Sequence, residues 1–166
     1  SQSSLQWKPM FVEGDRGWYF DTAAGIEQVR IRRIGRDELA AIQASLAYYD
    51  AQMEYAEKDR NGDGVLEYAQ QFRSSPGEHD GLYWETPPGE PQSPLGPLFA
   101  DNQLPDGAYH GYHYRILKSQ GKDAPGGAYS YVIGGRMTAG FALIAWPEEF
   151  GETGIMSFMI SHDGIV

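Results

Sequence analysis

The stretch that decides the fold is DELAAIQASLAYYDAQMEYAEK, residues 37–58, with the loop DRNGDG, residues 59–64, that follows it. Apolar residues recur in this stretch at alternating spacings of three and four, which places them on one face of an α-helix. They are Leu39, Ile42, Leu46, Tyr49 and Met53. Asp37 can serve as the N-cap or first-turn acid, and Gly35 is a natural break before it. The stretch predicts one long helix of about 33 Å whose apolar stripe packs against the rest of the chain.

Composition and charge limit the classes of function. The chain has 166 residues, 41% hydrophobic and 22% charged, which is typical of a single globular domain. Its net charge of −10 disfavours nucleic acid and anionic membranes as partners and suits divalent cations. The absence of cysteine excludes disulfides and thiolate metal sites. No apolar run reaches the length of a membrane span, so we expect no membrane insertion.

The segment before the long helix predicts a β-hairpin and a first helix. Leu5–Val12 and Gly17–Phe20 have the pattern of two short strands joined by a turn. Asp21 or Thr22 can cap a helix over residues 23–34, and Gly35 then either separates this helix from the long one or only kinks it. We therefore divide the chain into an N-terminal hairpin, residues 1–22, which could be the remnant of a preceding domain, and a helix-on-sheet domain, residues 23–166.

The chain after the acidic loop predicts a loop and then a sheet. Leu66–Phe72 suggests one or two helical turns, and the Pro- and Gly-rich residues 74–107 predict a long loop that packs down through its apolar side chains. From Gly111 onward the pattern has period two, with strands expected at 112–117, 129–133, 137–146 and 155–160, a turn at Gly134-Gly135 and a last strand starting at Ile165. The fold class is therefore α+β, with a long helix on an antiparallel meander sheet of four to five strands.

The acidic loop is a candidate calcium site. Its spacing matches the first half of an EF-hand loop, in which oxygen ligands at alternate positions converge on a hard cation. The candidate ligands are Asp59, Asn61, Asp63, the carbonyl of Val65, and Glu67. Gln70 stands where an EF-hand has its bidentate glutamate, so we expect a reduced affinity. The alternative is a helix-ending turn in which the glycines only supply positive φ angles.

Histidines and aromatic residues are the other candidates for chemistry. His110 and His113 cannot chelate together on a strand, because positions i and i+3 point to opposite faces. The pairs His79-Asp80 and His162-Asp163 favour turn or edge roles, since a catalytic histidine needs an oriented partner. Tyr and Trp residues of the strands either line a carbohydrate or peptide groove or pack across strands, and packing is the favoured reading.

Several motifs resemble those of a known bacterial family. They are Trp18-Tyr19-Phe20-Asp21-Thr22-Ala23-Ala24-Gly25, Arg32-Arg33-Ile34-Gly35-Arg36, Asp80-Gly81-Leu82-Tyr83-Trp84, Ser93-Pro94-Leu95-Gly96-Pro97, and 109–117 with 124–129. Together they resemble a family of exported proteins known as domain of unknown function 2950. The resemblance implies a signal peptide and a periplasmic or secreted location, and a further N-terminal region. It brings no activity and no catalytic residue.

A weaker resemblance is to type IV pilin-like globular domains. The order of long helix, acidic loop and sheet ending in Gly151-Glu152-Thr153-Gly154 and His162-Asp163-Gly164-Ile165-Val166 is similar. The apolar N-terminal half-helix through which pilins polymerise is lacking, and four arginines stand there instead, so we expect a monomer or small oligomer.

The sequence as a whole favours an exported, non-enzymatic domain that binds an envelope protein or a glycan and could carry calcium. The alternative is a periplasmic hydrolase that uses a histidine and a carboxylate in a cleft.

Overall fold

The structure is a computed structural model, and it describes residues 11–15, 17–97, 99 and 107–166. A long helix, α1 (Thr22–Ala56), is followed by most of the strands. The strands are β1 (Phe11–Gly14), β2 (Gly17–Phe20), β3 (Tyr112–Leu117), β4 (Ser119–Gln120), β5 (Tyr129–Ser130), β6 (Val132–Ile133), β7 (Arg136–Met137), β8 (Ala142–Pro147) and β9 (Phe158–Ser161). This arrangement confirms the α+β class.

Helix α1 is one continuous helix of 35 residues, and it includes both the first helix and the long helix that the sequence predicts. Asp21 is its N-cap, as predicted, and its Oδ1 accepts a hydrogen bond from the Ala24 N–H at 3.0 Å. The expectation that Asp37 begins a helix is wrong, because Asp37 lies in the middle of α1. Gly35 does not end the helix, since an interior glycine costs only about 1 kcal/mol relative to alanine and the residues around it are strong helix formers.

The face of α1 that packs on the sheet is not the predicted one. Leu39, Leu46 and Met53 are 62%, 41% and 44% exposed. The buried residues of the same stretch are Ala41, Ala44, Ser45, Tyr48, Ala51, Gln52 and Tyr55. Small residues allow the helix backbone to approach the sheet closely, while the two tyrosines extend beside it and fill the core. The predicted apolar stripe therefore lies largely outside the core, and only Tyr49 reaches it, with its ring 5.8 Å from that of Phe141.

The sheet beneath α1 has three strands in the order β3-β8-β9, all antiparallel. The register places Leu143 beside both Ile116 and Ile160, and Leu143 and Ile160 are buried. Helix α1 packs mainly on β9 and also on β8. The other strands form two-stranded pairs, β1-β2, β4-β5 and β6-β7, so the strands are divided among several sheets. Ile165 and Val166 do not form a strand.

The expected helical turns at Leu66–Phe72 are wrong. Tyr68 instead forms an antiparallel bridge with Met137, and its N–H donates to the Met137 carbonyl at 2.8 Å. The next residue, Ala69, is held by Gln52 of α1, whose side-chain amide accepts from the Ala69 N–H and donates to the Ala69 carbonyl, both at 2.8 Å. These long-range bonds replace the local bonds of a helix, so the segment runs extended.

Outside the sheet, two regions show how the connections pack. Leu82 and Leu95 are buried, and the Leu95 N–H donates to the Leu82 carbonyl at 2.9 Å, which brings the loop down on the core. The hairpin β1-β2 pairs Phe11 with Phe20, while the predicted strand residues Leu5–Met10 lie outside the described part of the chain. The division at residue 22 into two units stays a prediction.

Candidate functional site

The predicted calcium ligands lie in one loop that follows α1. Asp59 accepts the Gly62 N–H with Oδ1 and the Gly64 N–H with Oδ2, both at 2.8 Å. Asp63 Oδ1 accepts the Val65 N–H at 2.9 Å, and Asn61 Nδ2 donates to Glu67 Oε1, also at 2.9 Å. The loop therefore brings Asp59, Asn61, Asp63 and Glu67 together through bonds within itself.

Arg136 shares this loop with the candidate ligands. Its Nε lies 2.7 Å from Asp63 Oδ2, and this hydrogen bond keeps the pKa of Asp63 below its usual value. Gln70, at the twelfth position, donates instead to the Gly135 carbonyl at 2.7 Å. Within the described residues, no three or more His, Cys, Asp or Glu side chains are grouped so that they could hold a metal ion. A cation would have to displace Arg136 from Asp63 and draw the carboxylates inward.

The four histidines have different surroundings. His110 is in a turn with a φ of 51°, not on a strand, and His113 Nδ1 lies 3.1 Å from the Gly107 carbonyl oxygen. His79 stacks on Trp84 with ring centroids 4.3 Å apart. His162 Nδ1 is buried and has no hydrogen-bond partner among the described residues, while the Asp163 carboxylate accepts from Ser161 Oγ at 3.1 Å. Asp163 therefore does not orient the His162 ring, and a His–carboxylate relay is not assembled here.

A cleft at one end of the three-stranded sheet is a candidate binding site. Its volume is about 610 Å³, within the range typical of ligand pockets. The register places Leu117, Ala142 and Ser161 side by side there, and Met159 lies on the same face of β9 as Ser161. The segment that connects β4 to β5 forms the opposite wall, with Tyr129 and Tyr131 beside it. We call this site the cleft.

Gln120 holds the wall of the cleft in place. Its Nε2 donates to the carbonyls of Pro125 and Gly127, both at 2.7 Å, and its Oε1 accepts from the Tyr131 hydroxyl at 3.1 Å. Tyr131 is 3% exposed and Tyr129 is 37% exposed, with the two rings edge to face at 5.5 Å. The wall is thus fixed by hydrogen bonds, and Tyr129 is the aromatic side chain that it presents to a ligand.

The sequence indicated the aromatic part of the cleft but missed the rest. Tyr129 and Tyr131 were among the candidate groove residues, whereas Tyr112 and Tyr114 pack in the core. Leu117, Gln120 and Met159 carry no motif. Leu117 and Met159 come together through the pairing of β3, β8 and β9, and Gln120 is placed by the pairing of β4 with β5. The one available signal was the turn-rich stretch between Gln120 and Tyr129, which is where a wall can form.

Comparison with known proteins gives a family and no closer relative. A family model described as protein of unknown function (DUF2950) matches residues 7–166. No curated protein and no solved structure matches the chain, so the pilin-like layout stays a prediction. No helix of the described residues is long and apolar enough to cross a membrane.

Proposed function

Because the chain belongs to the family described as protein of unknown function (DUF2950), which assigns no reaction, we propose a function from the geometry. The protein is a non-enzymatic binding module of the cell envelope, and it takes an apolar peptide segment of another envelope protein in the cleft. The observation that carries this proposal is the cleft itself, an open concavity with fixed walls and an apolar floor. Such sites bind apolar groups and use a few polar groups to orient them.

The chemistry of the lining favours a peptide over a glycan. Leu117, Ala142 and Met159 offer apolar surface for a side chain, and Ser119 and Ser161 stand at the margin, where they can bond a peptide backbone. A sugar ring prefers an open aromatic face with several fixed polar partners, and Tyr129 is the one tyrosine of the cleft with a substantial exposed fraction. The hydrolase alternative gains no support, since the His162 ring in this cleft lacks an orienting carboxylate.

Binding in the cleft is tested through Tyr129. We expect an array of short apolar peptides to yield binders, and Tyr129→Ala to weaken the best of them by at least about tenfold, because a stacked aromatic contact is typically worth about 1–2 kcal/mol or more at an interface. Isothermal titration calorimetry on the purified chain measures the loss. Ile133→Ala, an exposed apolar residue of the β6-β7 hairpin, is the matched control and should bind like the unchanged protein.

Three outcomes of the same screen contradict the proposal. One is selective binding to an array of envelope glycans with no peptide bound. Another is peptide binding that Tyr129→Ala leaves unchanged. The third is cleavage of a bound peptide, seen by mass spectrometry after incubation with the protein.

The envelope location rests on the resemblance to exported proteins. We expect the full-length protein to fractionate with the periplasm or the medium of its own host. Recovery in the cytosol of lysed cells, alongside a cytosolic marker, would contradict this part of the proposal.

We also propose that the loop at residues 59–67 binds calcium weakly. A cation that binds only the folded chain raises the melting temperature, so millimolar calcium should raise it for metal-stripped protein. The double variant Asp59→Ala, Asp63→Ala should lose this response. Arg136→Gln should strengthen it, because the substitution frees Asp63 Oδ2. If calcium leaves the melting curves of both the unchanged protein and Arg136→Gln unaltered, the calcium proposal is wrong.

A further inference from the structure

The loop that follows α1 contains the dipeptide Asn61-Gly62, and both residues are exposed. The backbone nitrogen of the residue after an asparagine can attack the side-chain amide of that asparagine, a reaction that ends in deamidation. Glycine in the following position favours this reaction most, because it has no Cβ and gives the backbone the freedom that the attack needs. Asn102, the other asparagine of the chain, precedes glutamine instead. Asn61 is therefore the asparagine whose neighbour favours deamidation.

The reaction balances with water as its only co-reactant. Gly62 N forms a bond to Asn61 Cγ, the Cγ–Nδ2 bond breaks, and Nδ2 leaves as ammonia with the proton that Gly62 N gives up. Water then opens the resulting succinimide ring at either carbonyl, which yields aspartate, or isoaspartate with the main chain running through the side chain. Ammonia is exchanged for water with no oxidation or reduction, so the chain gains one mass unit and one negative charge.

The folded loop restrains the attacking nitrogen. The Gly62 N–H donates to Asp59 Oδ1 and the Gly64 N–H donates to Asp59 Oδ2, both at 2.8 Å. The bond to Asp59 fixes the peptide plane of Gly62, and the negative charge of the carboxylate opposes loss of the proton that the attack requires. The loop must therefore release Asp59 before Gly62 N can react.

The Asn61 side chain is restrained as well. Its Oδ1 accepts the Asp63 N–H at 3.1 Å, and its Nδ2 donates to Glu67 Oε1 at 2.9 Å and to Asp63 Oδ2 at 3.3 Å. Arg136 Nε holds the same Asp63 oxygen at 2.7 Å. All of these bonds lie at the surface, where hydrogen bonds open at a low cost in free energy. They therefore slow the reaction without abolishing it.

We propose that Asn61 deamidates spontaneously in this protein and that opening of the loop sets the rate. The product cannot restore the closed loop. Aspartate at this position has no N–H to donate to Glu67 and Asp63 and adds a negative charge beside their carboxylates, and isoaspartate also lengthens the backbone by one carbon. The modification is thus a one-way switch that leaves residues 59–67 open. It needs no bound ion, and its tests use metal-stripped protein, so they are independent of the calcium proposal.

The reaction is measured by peptide mapping with mass spectrometry during prolonged incubation of the metal-stripped chain near neutral pH. We expect the peptide that contains Asn61 to gain one mass unit steadily, and the same chain unfolded in guanidinium chloride to react faster at Asn61. Asn102 is the internal reference and should react more slowly than Asn61 in the unfolded chain. Absence of any mass gain at Asn61 in the folded chain, or equal rates in the folded and unfolded chains, overturns the proposal.

Removal of the Asp59 carboxylate tests the restraint. Asp59→Ala frees the N–H groups of Gly62 and Gly64, so deamidation of Asn61 should become about fivefold faster or more, the rate equivalent of one hydrogen bond. Asp123→Ala removes an exposed carboxylate from another loop and is the matched control, which should leave the rate unchanged. Circular dichroism checks that both variants are folded. An unchanged or slower reaction in Asp59→Ala overturns the proposal, because Asp59 would then not restrain the attack.

Hydrogen exchange of backbone amides, followed by NMR, tests the switch itself. Asn61→Asp reproduces the aspartate product, and in this variant the N–H groups of Gly62, Gly64 and Val65 should exchange faster than in the unchanged protein, because the bonds that hold them loosen. The Leu143 N–H, in the central strand of the three-stranded sheet, is the control and should exchange at an unchanged rate. If the loop amides exchange as slowly in Asn61→Asp as in the unchanged protein, the product leaves the loop closed and the proposal is overturned.

Discussion

Replacing Tyr48 by alanine is expected to lower the free energy of unfolding by about 3–5 kcal/mol, the range for large aromatic truncations in cores. The side chain is fully buried, and its ring packs edge to face on Phe141 at 5.8 Å and on Phe72 at 5.9 Å. Its hydroxyl accepts a hydrogen bond from Gln52 Nε2 at 2.9 Å, and burial raises the pKa of Tyr48. The residue joins α1, the sheet and the loop, so its loss opens a cavity at their junction.

Urea melts at low protein concentration measure this effect. Leu46→Ala, on the outer face of the same helix, is the matched comparison and should cost less than about 1 kcal/mol, as exposed truncations do. Tyr48→Phe separates the ring from the hydroxyl and should cost about 1 kcal/mol, the usual net value of one hydrogen bond. Comparable losses for Tyr48→Ala and Leu46→Ala would show that the assigned buried face is wrong.

Replacing Gln52 by leucine is expected to cost about 2–5 kcal/mol, because two backbone groups lose their partner at once. Gln52 is fully buried, and its amide makes two bonds to Ala69 at 2.8 Å besides the one to the Tyr48 hydroxyl at 2.9 Å. Leucine preserves the volume and removes only the polar head, so the Ala69 N–H and carbonyl are left buried and unpaired. Urea melts measure the loss of stability. A cost below about 1 kcal/mol would contradict the importance of the two Gln52–Ala69 bonds, which we call the clamp.

Gln52→Glu gives the same test a pH dependence. A carboxylate can accept from the Ala69 N–H but cannot donate to the Ala69 carbonyl, whereas the protonated acid can do both. Burial and the facing carbonyl therefore raise the folded-state pKa of the introduced carboxyl group above its unfolded value of about 4.3. Its stabilising contribution is present below a pH of about 4.3 and is lost as the pH rises through the raised folded-state pKa. Relative to the unchanged protein, Gln52→Glu should thus be more stable near pH ~4 than near pH ~7 in urea melts, and equal stability at both would contradict the clamp.

Local signals in the sequence predicted much of the fold. Asp21 caps α1, as expected from its position before a helical pattern. The predicted turn at Gly134-Gly135 joins β6 to β7, and both glycines have positive φ angles, 59° and 85°. The period-two pattern placed β3 correctly. Each of these features is decided by neighbouring residues, which the sequence displays directly.

The orientation of α1 could not be read from its hydrophobic pattern, because two faces compete on it. The stripe with the larger apolar side chains lies mostly exposed, whereas the core face is built from alanines, tyrosines and the polar Ser45 and Gln52. Close approach to the sheet favours small side chains, and a pattern of hydrophobicity alone gives those little weight.

The candidate sites show the same division between local and long-range information. The acidic loop at Asp59 is local in sequence, and its residues do come together. The cleft depends on Leu117 and Gln120, which are close in sequence, and on Met159, which strand pairing brings beside them. Pairing of β3 with β8 across the inserted short strands is a long-range event that no local pattern specifies.

Methyl NMR of methionine tests the central claim, that the cleft binds an apolar peptide. Met159 lines the cleft, Met53 and Met156 are exposed and lie outside the cleft lining, and Met137 is buried in the core. Met10 lies outside the described residues. A cleft-binding peptide added at low protein concentration should shift the Met159 methyl resonance alone. The methyl resonances of Met53, Met156 and Met137 should stay in place as the peptide is added. Peptide-induced shifts at Met53 or Met156 with none at Met159 would contradict the account.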